Sequence, residues 1–558
     1  MNHDVIIVGG GLAGLVAADE LTRSGKRVAL VDQENPANLG GQAWWSFGGL
    51  FLVDSPEQRR LGIRDSLDLA WTDWQGSAGW DRLDGALPQD EWAARWGRAY
   101  VEFAAGEKRE WLRRQGIRLT PMVGWAERGD GRAEGHGNSV PRFHVAWGTG
   151  TGVARPLAGR AREAAAKGLL TFHHRCRVDD LIVEGGRVTG VSGVKLAVDE
   201  APRGAPSNRT EVGDFSLLAG AVLLATGGIG GDHERVRRHW PGRLGKPPRE
   251  MITGVPAYVD GRMLDIADAA GARLVNRDRM WHYVEGVRNW DPIWPRHAIR
   301  ILPGPSSIWL DALGRRLPAP ALPGYDTIST LRHLRTTPDL AEHDHSWFIL
   351  TQKIIEKEFA LSGSEQNSDI TSGSWIKVLQ TRLGKGASPE VEAFKRHGAD
   401  FVIADDLETL VGKMNALTDR PLLDPAHVRR QIEARDAQFA NPYAKDVQVQ
   451  GIHNARRYTG DRLARVAKPH RILDPAAGPL IGVRLHVLTR KSLGGLQTNL
   501  DSQVLRPDGS AFPGLYAAGE AAGFGGGGVH GYNALEGTFL GGCIFSGRAA
   551  GRAMAGNT

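Results

Sequence analysis

The chain opens with Asp4-Val5-Ile6-Ile7-Val8-Gly9-Gly10-Gly11-Leu12-Ala13-Gly14, a short apolar strand that runs directly into a glycine-rich turn. Residues 15–21 have helical spacing, and residues 27–31 form a second apolar strand. The pattern predicts a βαβ unit, in which the glycines let the backbone meet a pyrophosphate at the helix N-terminus. Asp32 ends the second strand, where a carboxylate would accept ribose hydroxyls. We therefore predict that a dinucleotide is bound by Gly9, Gly11, Leu12, Ala13, Gly14, Asp32 and Gln33.

Length, charge and cysteine content argue against several other classes of protein. A chain of 558 residues predicts at least two domains. Its 69 basic and 63 acidic residues are mixed throughout, so the net charge of +6 does not indicate nucleic-acid binding. Cys176 and Cys543 lack the spacing of metal ligands, so we expect no metal and a reducing, cytoplasmic environment. We also expect neither a signal peptide nor a membrane span.

The later texture of the sequence predicts an interrupted first domain. Glycine-rich, strand-like sequence gives way near Val284 to a stretch dense in Trp, Pro and His, and it returns from Ile481. We predict helices within Trp71 to Gln115, a β-hairpin over 179–194 and a buried strand over 221–226. Further helices are expected over 347–361, 389–397, 407–416 and 538–555.

Four further segments carry a family resemblance. They are Gly40-Gly41-Gln42-Ala43 with Ser46-Phe47-Gly48-Gly49, then Leu224-Ala225-Thr226-Gly227-Gly228, then Leu515-Tyr516-Ala517-Ala518-Gly519-Glu520, and finally Gly528-Val529-His530-Gly531-Tyr532-Asn533-Ala534-Leu535-Glu536-Gly537. In this order they resemble the flavoprotein family that includes the flavin subunits of succinate dehydrogenase and fumarate reductase, aspartate oxidase and the 3-ketosteroid dehydrogenases.

The resemblance implies a fold and a cofactor. The fold is α/β: a Rossmann-like FAD-binding domain, similar to that of glutathione reductase, over residues 1–284 and 478–558, interrupted by an α+β catalytic or cap domain over 285–477. The cofactor is FAD, and the further residues implied to bind it are Gly40, Gly41, Gln42, Gly48, Gly49, Ala225, Thr226, Gly227, Gly519, Glu520, Gly537 and Thr538.

Differences from the family pattern indicate which branch of the family the chain resembles. Ala534 stands where the dicarboxylate enzymes have an arginine that clamps a substrate carboxylate, and a methyl group cannot replace a bidentate guanidinium. Arg490-Lys491-Ser492-Leu493-Gly494-Gly495 replaces their His-His-Thr-Met-Gly-Gly. No histidine near residues 42–47 matches the one that links FAD covalently, so we expect non-covalent FAD. The chain is more similar to the 3-ketosteroid dehydrogenases, and most similar to a subgroup of actinobacterial FAD-binding dehydrogenases.

That branch implies candidate catalytic residues. Its members place a tyrosine base after a Gly-x-Arg motif, and Tyr325 follows Gly314-Arg315-Arg316 here, although an ordinary loop tyrosine would read the same. A tyrosine base needs a nearby cation to lower its pKa, for which Lys491, Arg490 and Arg332 are candidates. His530 and Tyr532 could bind a carbonyl oxygen, and a His530 that only contacts the flavin is the alternative. The catalytic candidates are Tyr325, Lys491, Tyr532 and His530.

Three other features have two interpretations each. Arg142 and His144 either line the active site or belong to a loop packed by Phe143. A group of tryptophans either lines a substrate pocket or fills the core of the second domain. Glycines of the last helix either lie against the flavin or allow close helix packing, because each one costs about 1 kcal/mol relative to alanine. The tryptophans are Trp281, Trp290, Trp294 and Trp309, and the glycines are Gly537, Gly541 and Gly542.

The sequence therefore predicts an FAD-dependent oxidoreductase that acts on a carbon–carbon bond next to a carbonyl. A ketosteroid or a similar small hydrophobic ketone is the expected substrate, with an unidentified electron acceptor and with oligomerisation left open. Two alternatives stay open. One is a flavin dehydrogenase or oxidase of another donor, such as an amine or alcohol. The other is a non-catalytic flavoprotein subunit that depends on a partner for electrons.

Overall fold

A computed structural model describes residues 3–440 and 443–556. Its strands, numbered β1 to β22, are Val5–Val8, Val28–Asp32, Gly49–Phe51, Leu119–Gly124, Phe143–Ala146, Leu170–His174, Cys176–Glu184, Arg187–Leu196, Glu211–Leu218, Ala221–Leu224, Ile252–Thr253, Leu274–Val275, Met280–Arg288, Ala298–Leu302, Ile308–Leu310, His345–Thr351, Ala360–Leu361, Phe401–Ala404, Leu480–Ser492, Gly495–Leu496, Gln503–Leu505 and Ala511–Ala517.

Its α-helices are numbered in the same way. Helices α1 to α18 are Leu12–Arg23, Pro56–Arg60, Leu67–Ala78, Glu91–Ala105, Lys108–Arg114, Thr149–Ala166, His233–Arg238, Arg262–Ala269, Thr327–Thr336, Gln352–Glu358, Ser368–Thr371, Trp375–Leu383, Pro389–His397, Leu407–Asn415, Pro425–Asp436, Val447–Ala455, Thr459–Ala464 and Thr538–Ala555.

The first sheet carries the nucleotide-binding turn. Its strand order is β21-β22-β10-β1-β2-β6, and every pair in it is parallel except β21 with β22. The strand β1 lies at its centre, where all four side chains of Val-Ile-Ile-Val are buried, as expected for a parallel strand covered on both faces. The carboxyl ends of β1, β2 and β10 therefore point to one edge, where open α/β sheets bind ligands.

The second sheet is built around one long strand. It has eight strands in the order β15-β16-β19-β13-β14-β17, and β11 and β18 also pair with β19. The predicted boundary at residue 284/285 falls inside β13, and β19 begins just after the predicted boundary at 477/478. The second sheet therefore takes strands from both sides of the predicted boundaries.

Most of the predicted elements form, and one does not. The segments predicted over 389–397 and 538–555 are the helices α13 and α18, and the predicted hairpin is β7 with β8. The helix predicted over 347–361 is wrong in its first part, because His345–Thr351 is the strand β16 between β15 and β19. Its bulky aromatic and β-branched side chains are buried on both faces, which favours a central strand over an amphipathic helix.

Glycines in α18 allow close packing within the protein. A Cβ on Gly547 would lie 2.5 Å from the Ala13 carbonyl oxygen of α1. A Cβ on Gly541 would lie 2.9 Å or less from the Tyr100 ring and hydroxyl, and one on Gly542 would lie 2.9 Å from Phe524 Cβ. These contacts support the packing interpretation for Gly541 and Gly542.

The length and hydropathy of the helices decide whether any of them could span a membrane. Within residues 3–440 and 443–556, no helix has both the length and the apolar character that crossing a bilayer requires.

Candidate active site

A deep cleft runs along the carboxyl edge of the first sheet and reaches the second sheet. Its empty volume, including its open mouth, is about 1730 Å³. One end is formed by Asp32 to Glu34, Arg177 and Tyr258, and the other by side chains from β13, β14, β19 and the start of α18. The glycine turn lies between the two ends, so an elongated ligand would cross it.

The glycine turn is shaped by backbone contacts that leave no room for side chains. Gly9 has φ +107°, and a Cβ there would lie 2.5 Å from the Ala225 carbonyl oxygen. A Cβ on Gly14 would lie 2.2 Å from the Gly9 carbonyl oxygen. The helix α1 begins at Leu12 with no side-chain cap, so its first amide groups are available to an anion in the cleft.

Asp32 stabilises this turn from the end of β2. Its carboxylate accepts hydrogen bonds from the amides of Gly10, at 2.7 Å, and Glu34, at 2.8 Å. Burial raises the pKa of Asp32 to about 6. The side chain lies in the cleft wall, where the sequence predicts contact with a ribose.

Glu520 connects three distant parts of the chain at the middle of the cleft. Its Oε1 accepts from the Ser492 amide at 2.8 Å, and its Oε2 accepts from Gln42 Nε2 at 3.1 Å. Burial raises its pKa above the ordinary value. The contact brings the end of β19 next to the loop that follows β22, which sequence separation alone does not predict.

The cleft brings together most of the residues predicted to bind the cofactor. Those that line it are Gly9, Gly11, Leu12, Ala13, Asp32, Gln33, Gly41, Gln42, Gly49, Ala225, Thr226, Gly227, Gly519, Glu520 and Gly537. Gly14, Gly40, Gly48 and Thr538 lie behind this wall. A Cβ on Gly48 would meet the Thr149 backbone at 2.6 Å, and the Thr538 hydroxyl donates to the Leu535 carbonyl.

A cluster of buried polar side chains closes the other end of the cleft. Lys491 Nζ donates to the Tyr283 hydroxyl at 3.0 Å, and that hydroxyl donates to Glu536 Oε1 at 3.2 Å. The Arg300 guanidinium lies 3.8 Å from the centre of the Tyr283 ring and also pairs with Glu536. All four side chains line the cleft, so they can reach a bound molecule.

The environment of this cluster shifts its acid–base properties. Burial, together with the charges of Arg490 and Arg300, lowers the pKa of Lys491 to about 7, although Glu536 opposes this shift. Burial raises the pKa of Tyr283 well above its ordinary value. Burial would raise the pKa of Glu536, but the charges of Arg300 and Lys491 hold it below its ordinary value. At neutral pH the neutral phenol of Tyr283 therefore lies between the carboxylate of Glu536 and the amine of Lys491. That amine is then close to its pKa, so both of its protonation states are populated.

Arg300 extends the cluster into the protein interior. It pairs with Glu127 and lies 3.7 Å from Glu285 Oε2. Burial raises the pKa of Glu285 to about 7, and the neighbouring charge of Glu127 adds to the shift, whereas Arg300 opposes it. One guanidinium thus lies against three buried glutamates, and it also contacts the ring face of Tyr283.

The predicted catalytic residues do not come together. Lys491 lies in the cluster, but Tyr325 does not line the cleft, and a Cβ on Gly451 would lie 2.4 Å from its hydroxyl oxygen. Tyr532 also lies outside the cleft: its hydroxyl donates to Asp81 at 2.9 Å, and arginines stack on its ring. His530 is buried behind the cleft wall between Trp74 and Phe539, and burial lowers its pKa to about 3.

The other residues with two interpretations, an arginine–histidine pair and four tryptophans, lie outside the cleft. Arg142 is buried and pairs with Asp65 and Asp73, and His144 contacts the Ser55 hydroxyl at 2.7 Å, so neither lines the cleft. Phe143, between them, does line it. The tryptophans Trp281, Trp294 and Trp309 are buried in the core, Trp290 is partly exposed, and none of the four lines the cleft. The apolar wall is formed instead by Phe47, Phe143, Leu302, Phe524 and Phe539.

The sequence did not identify three residues of the polar cluster around Lys491. Glu536 belongs to the quoted loop after Ala534, so its carboxylate was visible but unassigned. Tyr283 and Arg300 lie in strands among many other polar residues, and only the pairing of β13 with β14 and β19 brings them to Lys491. No local pattern marks them.

The geometry fits FAD. Two helices, α1 and α18, start at the cleft with glycines at their N-caps and with no capping side chain. Such ends favour the negative charge of a pyrophosphate or of a reduced flavin. The glycine turn admits close approach of phosphates, and the elongated cleft joins this turn to the polar cluster. These features define a dinucleotide-binding oxidoreductase site.

Comparison with known proteins agrees with the assignment of an FAD site. The model of the FAD binding domain family matches residues 4–540. A KsdD-like steroid dehydrogenase of Mycobacterium tuberculosis is 58% identical over 555 residues, which cover 100% of this chain and 96% of the relative. Another from Mycolicibacterium smegmatis is 59% identical and covers 96% of both chains. The chain belongs to the FAD binding domain family and is an FAD-dependent dehydrogenase.

Solved structures share the fold at low sequence identity. A 3-ketosteroid Δ1-dehydrogenase from Sterolibacterium denitrificans has a TM-score of 0.69 at 17% identity, with 100% of both chains covered. A 3-ketosteroid-Δ4-(5α)-dehydrogenase from Rhodococcus jostii has a TM-score of 0.61 at 20% identity, covering 99% of this chain and 96% of that one. The expected α/β fold with a Rossmann-like FAD-binding part is confirmed.

Proposed function

We propose that this dehydrogenase oxidises or reduces a carbon–carbon bond next to a carbonyl group of a steroid or a similar hydrophobic ketone. The contact between Lys491 and Tyr283 inside the cleft carries the proposal. The relatives at 58 and 59% identity bear the name of steroid dehydrogenases, which supports the substrate class. Aromatic side chains along the cleft, including Phe524 and Phe539, suit a fused-ring substrate.

Oxidation of such a bond removes a hydride from one carbon and a proton from its neighbour. Bound FAD supplies the hydride acceptor. We assign Tyr283, which lines the cleft, as the proton acceptor: as its oxygen takes the proton from carbon, its own hydroxyl proton passes to the neutral amine of Lys491, 3.0 Å away. Glu536 and Arg300 are positioning residues, because they orient the phenol through its hydroxyl and its ring face. In the reductive direction, the same pair returns the proton.

The experiment is anaerobic mixing of the FAD-loaded protein with a panel of 3-ketosteroids and non-steroidal enones. Bleaching of the flavin absorbance by a saturated ketosteroid, or reoxidation of the reduced protein by an enone, is the expected result. Amines and alcohols serve as the comparison panel. If every ketone leaves the flavin spectrum unchanged while an amine or alcohol bleaches it, the proposed reaction is wrong.

A further inference from the structure

One arginine of the cleft wall has no partner. Among the residues that the structure describes, four arginines line the cleft, and Arg177, Arg262 and Arg300 pair with carboxylates. The partly buried guanidinium of Arg490 forms no hydrogen bond or ion pair with any residue in 3–440 and 443–556. A guanidinium carries five N–H donors and no acceptor, so Arg490 is free to bind an oxygen of a ligand.

The surroundings of Arg490 supply no fixed counter-charge. A Cβ on Gly254 would lie 2.8 Å from Arg490 Nη1, so the guanidinium lies directly against the backbone of that residue. Two carboxyl groups act on it only through space, those of Glu365 and Glu520. Burial raises the pKa of Glu365 to about 7 against the opposing charge of Arg490. Glu520 already accepts hydrogen bonds from Ser492 and Gln42.

Arg490 lies at the end of the cleft that holds the polar cluster. It precedes Lys491 in β19. Its charge adds to the effect of burial in lowering the pKa of Lys491, and it opposes the rise in pKa that burial gives Tyr283. The pyrophosphate site predicted at the start of α1 is at the glycine turn, so the oxygen that Arg490 meets belongs to another group.

The proposed reaction creates such an oxygen. When Tyr283 takes the proton from the carbon next to the carbonyl, the electron pair of that C–H bond delocalises onto the carbonyl oxygen as an enolate. Loss of a hydride from the adjacent carbon to the flavin then restores the carbonyl and leaves a new carbon–carbon double bond. The residues predicted to bind the carbonyl oxygen, His530 and Tyr532, lie outside the cleft. N–H donors placed at a developing oxyanion contribute strongly to catalysis.

We propose that Arg490 is the catalytic residue that binds the carbonyl oxygen of the substrate and stabilises the enolate. The inference rests on the proposed function, because that reaction generates the charge. It also narrows the substrate class. The carbonyl oxygen must reach Arg490 while the carbon beside it faces Tyr283, so a ketone whose carbonyl is remote from the bond to be oxidised is excluded.

The test uses equilenin, a steroid whose phenolic rings form a 2-naphthol and whose anion mimics the enolate. Difference absorbance follows ionisation of the naphthol bound to the FAD-loaded protein as pH is varied. We expect the parent to lower the pKa of the naphthol by at least about one unit, which is a tenfold preference for the anion. Arg490→Met should abolish this shift, and Arg490→Lys should keep part of it.

The matched control is Arg332→Met, which removes an exposed arginine outside the cleft and should keep the full shift. A second measurement uses a ketone that bleaches the flavin. Arg490→Met should lower the bleaching rate at saturating ketone about 10²-fold or more. The ketone concentration that gives half the maximal rate should change less than about threefold, because the charge develops only in the transition state.

Several results would overturn the proposal. The parent could fail to bind equilenin, or bind it with an unshifted naphthol pKa, or show the same shift as Arg490→Met. Loss of the shift in Lys491→Met instead would assign the oxygen to the amine. Loss of FAD from a folded Arg490→Met with the naphthol shift unchanged would assign the guanidinium to the cofactor. If the shift depends on Arg490 but no ketone bleaches the flavin, the anion site stands and the proposed reaction is wrong.

Discussion

Lys491 has a pKa near the pH at which most proteins work, and this makes its charge sensitive to small changes of environment. To accept a proton during oxidation, the amine must be neutral. The rate of flavin bleaching by a ketone substrate is therefore expected to rise with pH and to level off above about pH 7. In the reductive direction the rate should fall over the same range, because the ammonium form is then required.

Substitution of Lys491 tests this assignment. Lys491→Met, which removes the amine, and Lys491→Arg, which keeps a permanent charge, should both abolish the step in the pH profile. The rate should also fall about 10²-fold or more, as for the loss of a general base. Rapid-mixing absorbance measurements on both sides of pH 7 give the profiles. A step that persists in either variant would assign it to another group.

A second residue-scale prediction concerns the choice between two tyrosines. Tyr283→Phe removes the hydroxyl that joins Lys491 to Glu536, so we expect the bleaching rate to fall at least about 10²-fold while FAD stays bound. Tyr325→Phe is the matched control, because its hydroxyl lies outside the cleft, and it should retain the parental rate. The opposite pattern would restore the assignment that the family resemblance implied.

At the scale of single elements, the glycine turn before α1 makes a sharp prediction about cofactor retention. Gly9→Ala would place a methyl group 2.5 Å from the Ala225 carbonyl oxygen at φ +107°, so the turn must move. We expect the purified variant to retain at least about tenfold less FAD, which corresponds to a loss of about 1.4 kcal/mol or more of binding free energy.

Gly25→Ala is the control for this prediction. Gly25 also has a positive φ, +81°, but a Cβ there has nothing within 4 Å. It therefore carries the same kind of backbone strain without a clash in the cleft. Its FAD content, measured as the ratio of flavin to protein absorbance, should match the parent. Equal losses in both variants would show that strain alone, and not the shape of the turn, lowers retention.

Local elements were more predictable than the site. The turn after β1, the helix α18 and the hairpin of β7 and β8 are encoded by neighbouring residues, so periodicity and glycine placement suffice to find them. The strand β16 was mistaken for helix because a fully buried segment shows no clear period. Tyr283 and Arg300 meet Lys491 only through pairing between strands far apart in sequence, which no local pattern records.

At the scale of the whole molecule, buried charge links stability to pH. Thr327 donates to Glu285, and Arg300 lies beside it, in the interior that joins the cleft to the second sheet. The folded pKa of Glu285, about 7, exceeds its ordinary value of 4.5. This carboxyl thus contributes stability that is fully present below its unfolded pKa and is lost as pH rises through the folded pKa.

The variant Glu285→Gln should remove this contribution. Between about pH 5 and about pH 8, the parent should lose more stability than the variant, by on the order of 2 kcal/mol. Melting temperatures of both proteins across this range provide the measurement. The flavin spectrum serves as the control for the cleft, since Glu285 does not line it. Parallel pH profiles would mean that Glu285 is ionised in the folded protein.

The strand Leu480–Ser492 has a consequence for the engineering of specificity. It pairs with β11, β13, β16 and β18 in the second sheet, and its last residues place Lys491 beside Tyr283 and Ser492 beside Glu520. A chimera that exchanges substrate-binding parts between relatives at residue 477/478 would separate this strand from the partners with which it folds. A graft that starts before Ile252 and ends beyond Ser492 would keep the sheet whole and transplant Lys491 together with Tyr283.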